Sequence, residues 1–272
     1  GENLPLFTSC CPAWVKFCEN RYPELRDHIS TCRSPQQMFG ALIKEEARMN
    51  EADPRKTVVI SIMPCTAKKA EILRPEHFTE GEQDVDYVLT TTEITRMIKE
   101  AGIDLAQMPS EALDMPFGLS SGASAIFGVT GGVTEAVLRR LVDSSAVEDL
   151  EKISFTGIRG TDSLKEATID YNGRTLKLAI VNGLRSADEL IQKIKAGEVS
   201  YDFVEVMACK RGCMAGGGQP VPIGPRTKKA RFEGLYKIDS EAQIKRSNEN
   251  PIIQSLYNGL LKGKEHKLLH NR

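Results

Sequence analysis

Thr57 to Pro64, TVVISIMP, is an unbroken apolar run of strand length, the pattern of a strand buried on both faces, and it delivers the chain to Cys65. DYVLT (Asp86 to Thr90) is a second strand. Thr90 and Glu93 then form a capping box, Ile94, Met97, Ile98 and Ala101 recur at helical spacing, and Gly102 stops the helix. KISFTGI (Lys152 to Ile158) has strand character, and EATIDYNGRTLKLAIV folds as a hairpin turning on Asn172-Gly173. Ser186 and Glu189 predict a second capping box, with Leu190, Ile191 and Ile194 as the apolar face of its helix and Gly197 as its end. YDFVEVM (Tyr201 to Met207) is a further strand and delivers Cys209. Asn250-Pro251 opens a helix over 251–262 with a buried stripe of Ile252, Ile253, Leu256, Tyr257, Leu260 and Leu261. Strand and helix alternate, which predicts α/β layering. Each half of the chain runs a strand into a cysteine motif, which fits two lobes facing one site.

Composition narrows the function classes. Of 272 residues, 40% are hydrophobic and 27% charged, and the formal net charge is -1, so there is no electrostatic footprint for nucleic acid. No apolar stretch reaches the roughly 20 residues that span a bilayer. A chain this long needs no disulfide staples to fold. It starts Gly-Glu-Asn without a signal-like segment, and is expected to be a fragment of a longer chain. Seven cysteines, an odd number, point to reduced, metal-binding or catalytic use.

The cysteines fall into motifs. TSCCPAW holds the adjacent pair Cys10 and Cys11, MPCTAKKAE holds Cys65, and EVMACKRGCMAGGGQP holds Cys209 and Cys213. Two of the three follow predicted buried strands, where ligands usually bind in α/β sheets. Cys209 and Cys213 would share one face of a helix. Their spacing is not that of a zinc knuckle, whereas a cubane iron–sulfur cluster takes four thiolates. Cys65, Cys209 and Cys213 leave one place for a member of the adjacent pair. The two thiols therefore do different jobs, although the count does not say which does which. Gly216 to Gly218 would let backbone approach an inorganic centre closely.

TSCCPAW, MPCTAKKAE and EVMACKRGCMAGGGQP resemble the three signature motifs of the iron-only (FeFe) hydrogenases. SPQQMFG (Ser34 to Gly40) and MPFGLSSGASAIFG (Met115 to Gly128) resemble that family's pocket segments, and ENPIIQSLYNGLLKGKEHKLLH resembles its C-terminal belt. The resemblance implies an α/β fold, mixed α+β in detail: two intertwined lobes, each a small mixed β-sheet flanked by helices, with the active site in the cleft between them. It makes 1–272 one cluster-binding domain, truncated at its N-terminus, with 225–272 as the belt.

The same resemblance implies a 4Fe-4S cluster held by Cys11, Cys65, Cys209 and Cys213, with Cys213 bridging to a diiron unit that carries CO, cyanide and a dithiolate amine. It makes Cys10 the proton-relay thiol and Ser30 the next relay group. Lys68 would donate to a cyanide, with Glu71 orienting it. Ser34 and Gln36 would be polar pocket residues, and Met63, Pro64, Met207 and Phe127 would wall the diiron site. The implied reaction joins two protons and two electrons into hydrogen, reversibly. The implied partners are ferredoxin or another redox carrier or subunit, and maturation proteins that deliver the diiron unit; no nucleic acid and no membrane span are expected. The expected compartment is the cytoplasm, with the periplasm as alternative. Competing functions are a non-catalytic iron–sulfur assembly or scaffold protein and a sensory hydrogenase.

Plainer roles apply elsewhere. Cys18 and Cys32 match no ligand position and are expected as small buried hydrophobes, and Trp14 as core. His266 and His270 are expected in surface or packing roles. The basic run PRTKKAR (Pro225 to Arg231) is expected as a solvated face, with a docking patch for an acidic electron carrier as its functional alternative.

Overall fold

The computed structural model describes residues 4–50, 53–141, 157–221 and 224–271. In chain order the strands are β1 (Leu6–Phe7), β2 (Ile60–Met63), β3 (Phe78–Thr79), β4 (Glu82–Gln83), β5 (Tyr87–Thr90), β6 (Leu164–Tyr171), β7 (Arg174–Asn182) and β8 (Phe203–Met207). The helices are α1 (Pro12–Arg21), α2 (Pro35–Met49), α3 (Ala67–Glu71), α4 (Thr91–Glu100), α5 (Gly122–Ala125), α6 (Gly132–Leu141), α7 (Leu184–Lys195), α8 (Pro225–Glu241), α9 (Pro251–Asn258) and α10 (Glu265–Leu269). The fold is mixed α/β, small sheets with helices around them. Two compact units divide it. The first comprises Gly1–Ser30, Ser120–Ala215 and Gly224–Asn250, the second Thr31–Leu119, Gly216–Ile223 and Pro251–Arg272.

In the first unit a sheet of order β1-β8-β7-β6 is built around β7. β6 and β7 form the expected hairpin, with Asn172 (φ 49) and Gly173 (φ 75) both left-handed at its turn. β7 returns to β8 in parallel through α7. Period-two alternation assigns the two faces. Ala179, Val181, Val204 and Val206 pack with Trp14, Cys18, Leu190 and Ile191, whereas Leu178 and Ile180 pack with Leu138 and Ile158. Trp14 is fully buried and donates through Nε1 to Thr8 O at 3.0 Å. Cys18 is the buried small hydrophobe expected of it, and burial pushes its thiol up to about 11.

In the second unit β2 and β5 pair in parallel, register Ile60↔Tyr87 to Met63↔Thr90, but β2 is not the buried strand expected of TVVISIMP: the sheet has two strands, and Ile60 and Ile62 lie on its uncovered face, each 55% exposed. Val59, Ile72, Val85 and Val88 form the core beneath them, and Ala41 and Leu42 of α2 pack against Leu261 and Leu268. Arg33 and Asp84 make a buried ion pair at 2.7 Å. The Thr90–Glu93 capping box is present at the start of α4.

Two further expected elements differ, and another lies mostly outside the described residues. α7 begins at Leu184 behind Gly183 (φ 91), so Ser186 lies inside the helix, and Glu189 pairs with Arg185 at 3.1 Å instead of closing a box with Ser186. The tail helix ends at Asn258, short of residue 262, because the chain turns through Gly259 to Lys264. In its stripe Leu261 is buried, Tyr257 is exposed and the remaining members are half-buried. In KISFTGI, residues 152–156 lie outside the described residues, while Gly157 and Ile158 sit in a turn. Among the described residues no helix is long and apolar enough to cross a membrane.

Candidate functional site

In the first unit, the pairing of β1 with β8 aligns two cysteine-bearing segments. Thr8 continues the pairing: its N–H donates to Val204 O at 3.0 Å, and its hydroxyl accepts the Val206 N–H at 3.1 Å. Cys11 is the N-cap of α1, ahead of Pro12, and its Sγ accepts the N–H of Ala208, the residue before Cys209, at 3.4 Å. Cys10 is half-buried. Ser30 donates its N–H to Phe7 O at 2.8 Å, beside the bridge Phe7↔Ile29, so both expected relay residues flank one strand.

The Cys209–Cys213 segment corrects the helical expectation. Arg211 (φ 70) and Gly212 (φ 92) are both left-handed, the Gly212 N–H closes on Cys209 O at 3.1 Å, and Cys213 opens a short 3-10 turn to Ala215. Two successive left-handed residues cannot belong to a right-handed helix. Gly212 is required here a second time, since a Cβ would lie 2.7 Å from Thr130 N. Asn182 Oδ1 accepts the Arg211 N–H at 2.8 Å, and its Nδ2 donates to Asp162 O at 2.6 Å. Sequence reasoning missed Asn182; the one signal was a polar residue ending the apolar strand LKLAIVN. Glu205, also missed, is fully buried, and its carboxylate takes the N–H groups of Gly131 at 2.6 Å and Thr134 at 2.7 Å, fixing the start of α6. Burial raises its pKa and those amides oppose the rise. Met207 is buried and Phe127 half-buried.

In the second unit β2 and Pro64 deliver a half-buried Cys65. Gly218 lies against it: its N–H donates to Pro64 O at 3.0 Å, and a Cβ would sit 2.7 Å from Cys65 N. α3 starts at Ala67, so Cys65 precedes the helix and does not share a helical face with Lys68. Lys68 is buried and bonds both oxygens of Glu71, at 3.0 and 2.9 Å. Glu71 Oε2 also accepts Ser34 Oγ at 3.0 Å and Gln36 Nε2 at 3.1 Å. The structure therefore gathers Lys68, Ser34 and Gln36 around Glu71. Gln36 Oε1 is buried without a hydrogen-bond partner, a cost of about 1–3 kcal/mol that a bound polar group would relieve. Met63 packs on the Val59–Val88 core.

None of the seven cysteines forms a disulfide. Among the described residues no three His, Cys, Asp or Glu side chains converge as they would around a single metal ion. The donors are soft thiols on three segments, next to glycines that admit no side chain, and that chemistry fits an iron–sulfur cluster.

The family model described as "Iron only hydrogenase large subunit, C-terminal domain" matches residues 1–217. The chain belongs to the iron-only hydrogenases. A second model of that family, "Iron hydrogenase small subunit", matches residues 225–272. Among relatives, the iron-only hydrogenase chain is 44% identical to the NADP-reducing hydrogenase subunit HndD of Solidesulfovibrio fructosivorans, covering 98% of this chain and 46% of that one. It is 46% identical to the periplasmic Fe hydrogenase large subunit of Nitratidesulfovibrio vulgaris, over 86% of this chain and 57% of that one. It is also 34% identical to the cytosolic iron-sulfur assembly component 3 of Pongo abelii, over 100% of this chain and 59% of that one. The chain thus spans about half the length of these relatives. An apo FeFe-hydrogenase of Chlamydomonas reinhardtii superposes with TM-score 0.80 at 37% identity, covering 99% of this chain and 76% of that one.

Proposed function

We propose that the chain is the cluster-binding, catalytic part of a hydrogenase that interconverts hydrogen with two protons and two electrons. The observation that carries this reading is the placement of the adjacent thiols: Cys11 Sγ, at the N-cap position of α1, accepts the Ala208 amide beside Cys209, and a second half-buried thiol, Cys10, precedes it. A pure scaffold has no need of a second thiol there.

In this reading Cys11, Cys65, Cys209 and Cys213 would hold a 4Fe-4S cluster, and Cys213 would be the thiol shared with a diiron unit carrying CO, cyanide and a dithiolate amine. When bound, that cofactor supplies electron exchange and the centre at which hydrogen is made or split. The chain's residues do the rest. Cys10 takes and returns a proton at Sγ, work suited to a thiol, whose unperturbed pKa of about 8.5 is near neutral pH. Ser30 passes that proton outward through its hydroxyl. Lys68, buried and held by Glu71, would donate a charge-assisted bond to a cyanide of the bound cofactor. Ser34 and Gln36 fix Glu71, and Met63, Pro64, Met207 and Phe127 keep the pocket apolar. Electrons arrive from ferredoxin or from a partner subunit; one relative is itself named as a subunit of an NADP-reducing hydrogenase. Maturation proteins deliver the diiron unit. Relatives are named for both the periplasm and the cytosol.

An iron–sulfur assembly role is the second reading, favoured by 34% identity across the whole chain to an assembly component. An infrared spectrum of protein matured with the diiron cofactor separates the two. CO and cyanide bands support the hydrogenase; a cubane signal without those bands supports the assembly role.

A further inference from the structure

α8 begins where the match to the small subunit begins, and it touches the turn that carries Cys213. Arg231 Nη1 donates to Met214 O at 3.1 Å, the carbonyl immediately after Cys213. The Met214 side chain is buried with Ile126 and Val129, and Phe232, Leu235 and Tyr236 of the same helix pack on that cluster. Arg231 ends the basic run PRTKKAR, so the solvated-face expectation holds for Lys229, 76% exposed and paired with Glu233, but not for the last residue of the run.

The helix has a separate anchor at its far end. Asp239 receives two bonds from Arg139, at 2.6 and 2.7 Å, and Arg139 also holds Glu135 at 2.6 Å, all three side chains being buried. Docking of α8 therefore does not depend on Arg231. The Arg231 bond is directed at the cysteine turn. On the other flank Asn182 fastens Arg211 N. Cys213 lies between two clamps, one from β7 and one from α8.

We propose that Arg231 is a positioning residue for Cys213, through which the small-subunit segment aims that thiol. The proposal rests on the reading of Cys213 as a cluster ligand. Met214 O belongs to the peptide that follows Met214; held by Arg231, it fixes Met214, the residue bonded to Cys213, and with it the far end of the turn that carries the thiol. A planar guanidinium holds a carbonyl in place better than a point-like ammonium. A ligand sulfur aimed beforehand pays its ordering cost before the cluster arrives.

The test starts on the chain without cofactor. Iodoacetamide labelling of Cys213 is followed by peptide mass spectrometry, with Cys32 as internal reference. Arg231→Met is expected to raise the labelling rate of Cys213 about fivefold relative to Cys32, as a half-buried thiol gains exposure when its turn loosens. Arg231→Lys is expected to fall between the two, and Lys229→Met to match the parent. Equal Cys213 rates in the parent and Arg231→Met overturn the proposal. If circular dichroism shows Arg231→Met unfolded, Arg231→Lys against the parent is decided by the same criterion. Reconstitution with iron and sulfide adds a second readout: a chelator should strip iron from Arg231→Met about tenfold faster than from the parent, the usual scale for residues that orient ligands, and equal rates count against the role. A parent that takes up no iron refutes the ligand assignment instead, while the labelling result still decides whether Arg231 aims the thiol.

Discussion

Asn182 accepts the N–H of Arg211 at 2.8 Å, and Arg211, at φ 70, is the left-handed residue inside the turn between Cys209 and Cys213. A non-glycine residue in that region costs about 1–2 kcal/mol, so the bond offsets strain at the point where the two cysteines acquire their spacing.

Removing the acceptor exposes that strain. Asn182→Ala should lower unfolding stability by about 1–3 kcal/mol and reduce the iron bound per chain after reconstitution, and Asn182→Asp, which keeps the accepting oxygen but sets a buried carboxylate oxygen against Asp162 O, should not recover the stability. Urea melts and iron assays check this; an unaltered Ala variant would show that the turn holds without Asn182.

The Lys68–Glu71 pair is buried on both sides, at 10% and 4% side-chain exposure. Glu71→Ala leaves the ammonium without its carboxylate and should cost about 3–5 kcal/mol, whereas Lys68→Met with Glu71→Leu should recover only part of that, because Ser34 Oγ and Gln36 Nε2 then lose their acceptor. A double-mutant cycle in urea reads the coupling, and additive single effects would refute it.

Burial holds His77 neutral, depressing its pKa from 6.5 to about 4, with Glu71 and Glu76 opposing the shift and Arg33 and Arg74 adding to it. Between those values the unfolded chain binds a proton that the native chain does not, so stability falls as pH drops from 6.5 toward 4. From pH 6.5 to 5 this one group removes about 1.5 kcal/mol. His77→Phe should flatten the pH dependence by that amount; identical slopes in the two proteins would falsify the assignment.

If Cys10 moves the proton, Cys10→Ser should bind the cofactor with CO and cyanide bands in place and lose nearly all turnover, about a hundredfold or more, since a serine hydroxyl does not titrate near neutral pH. Full hydrogen evolution by the variant would end the relay role.

Much of this architecture was legible from residue order. DYVLT and the Asn172-Gly173 hairpin formed where period and turn chemistry placed them, and the Thr90 box closed as its spacing requires, whereas TVVISIMP gave a strand only over Ile60–Met63 and not the buried one its apolar run predicts. The motifs named the family. The other misplaced features share a physical cause, namely tertiary hydrogen bonds that outweigh local propensity. Cys209 and Cys213 have helical spacing, yet Asn182, 27 positions before Cys209, supports a left-handed turn between them. Ser186 and Glu189 have capping-box spacing, but Gly183 takes the cap three residues earlier. Arg231 looked solvated because its run is basic, and the carbonyl it bonds lies 17 positions back.

The three consecutive glycines after Ala215 look interchangeable as letters, but they carry unequal information. At Gly218 a methyl group would meet the Cys65 and Pro64 backbone at 2.7 and 2.8 Å, whereas at Gly217 it would find only the Thr66 hydroxyl at 3.4 Å. A library randomised across this run would therefore return glycine at 218 almost without exception and accept a range of small residues at 217. Motif searches that weight both positions equally would discard functional chains for a difference the fold does not register.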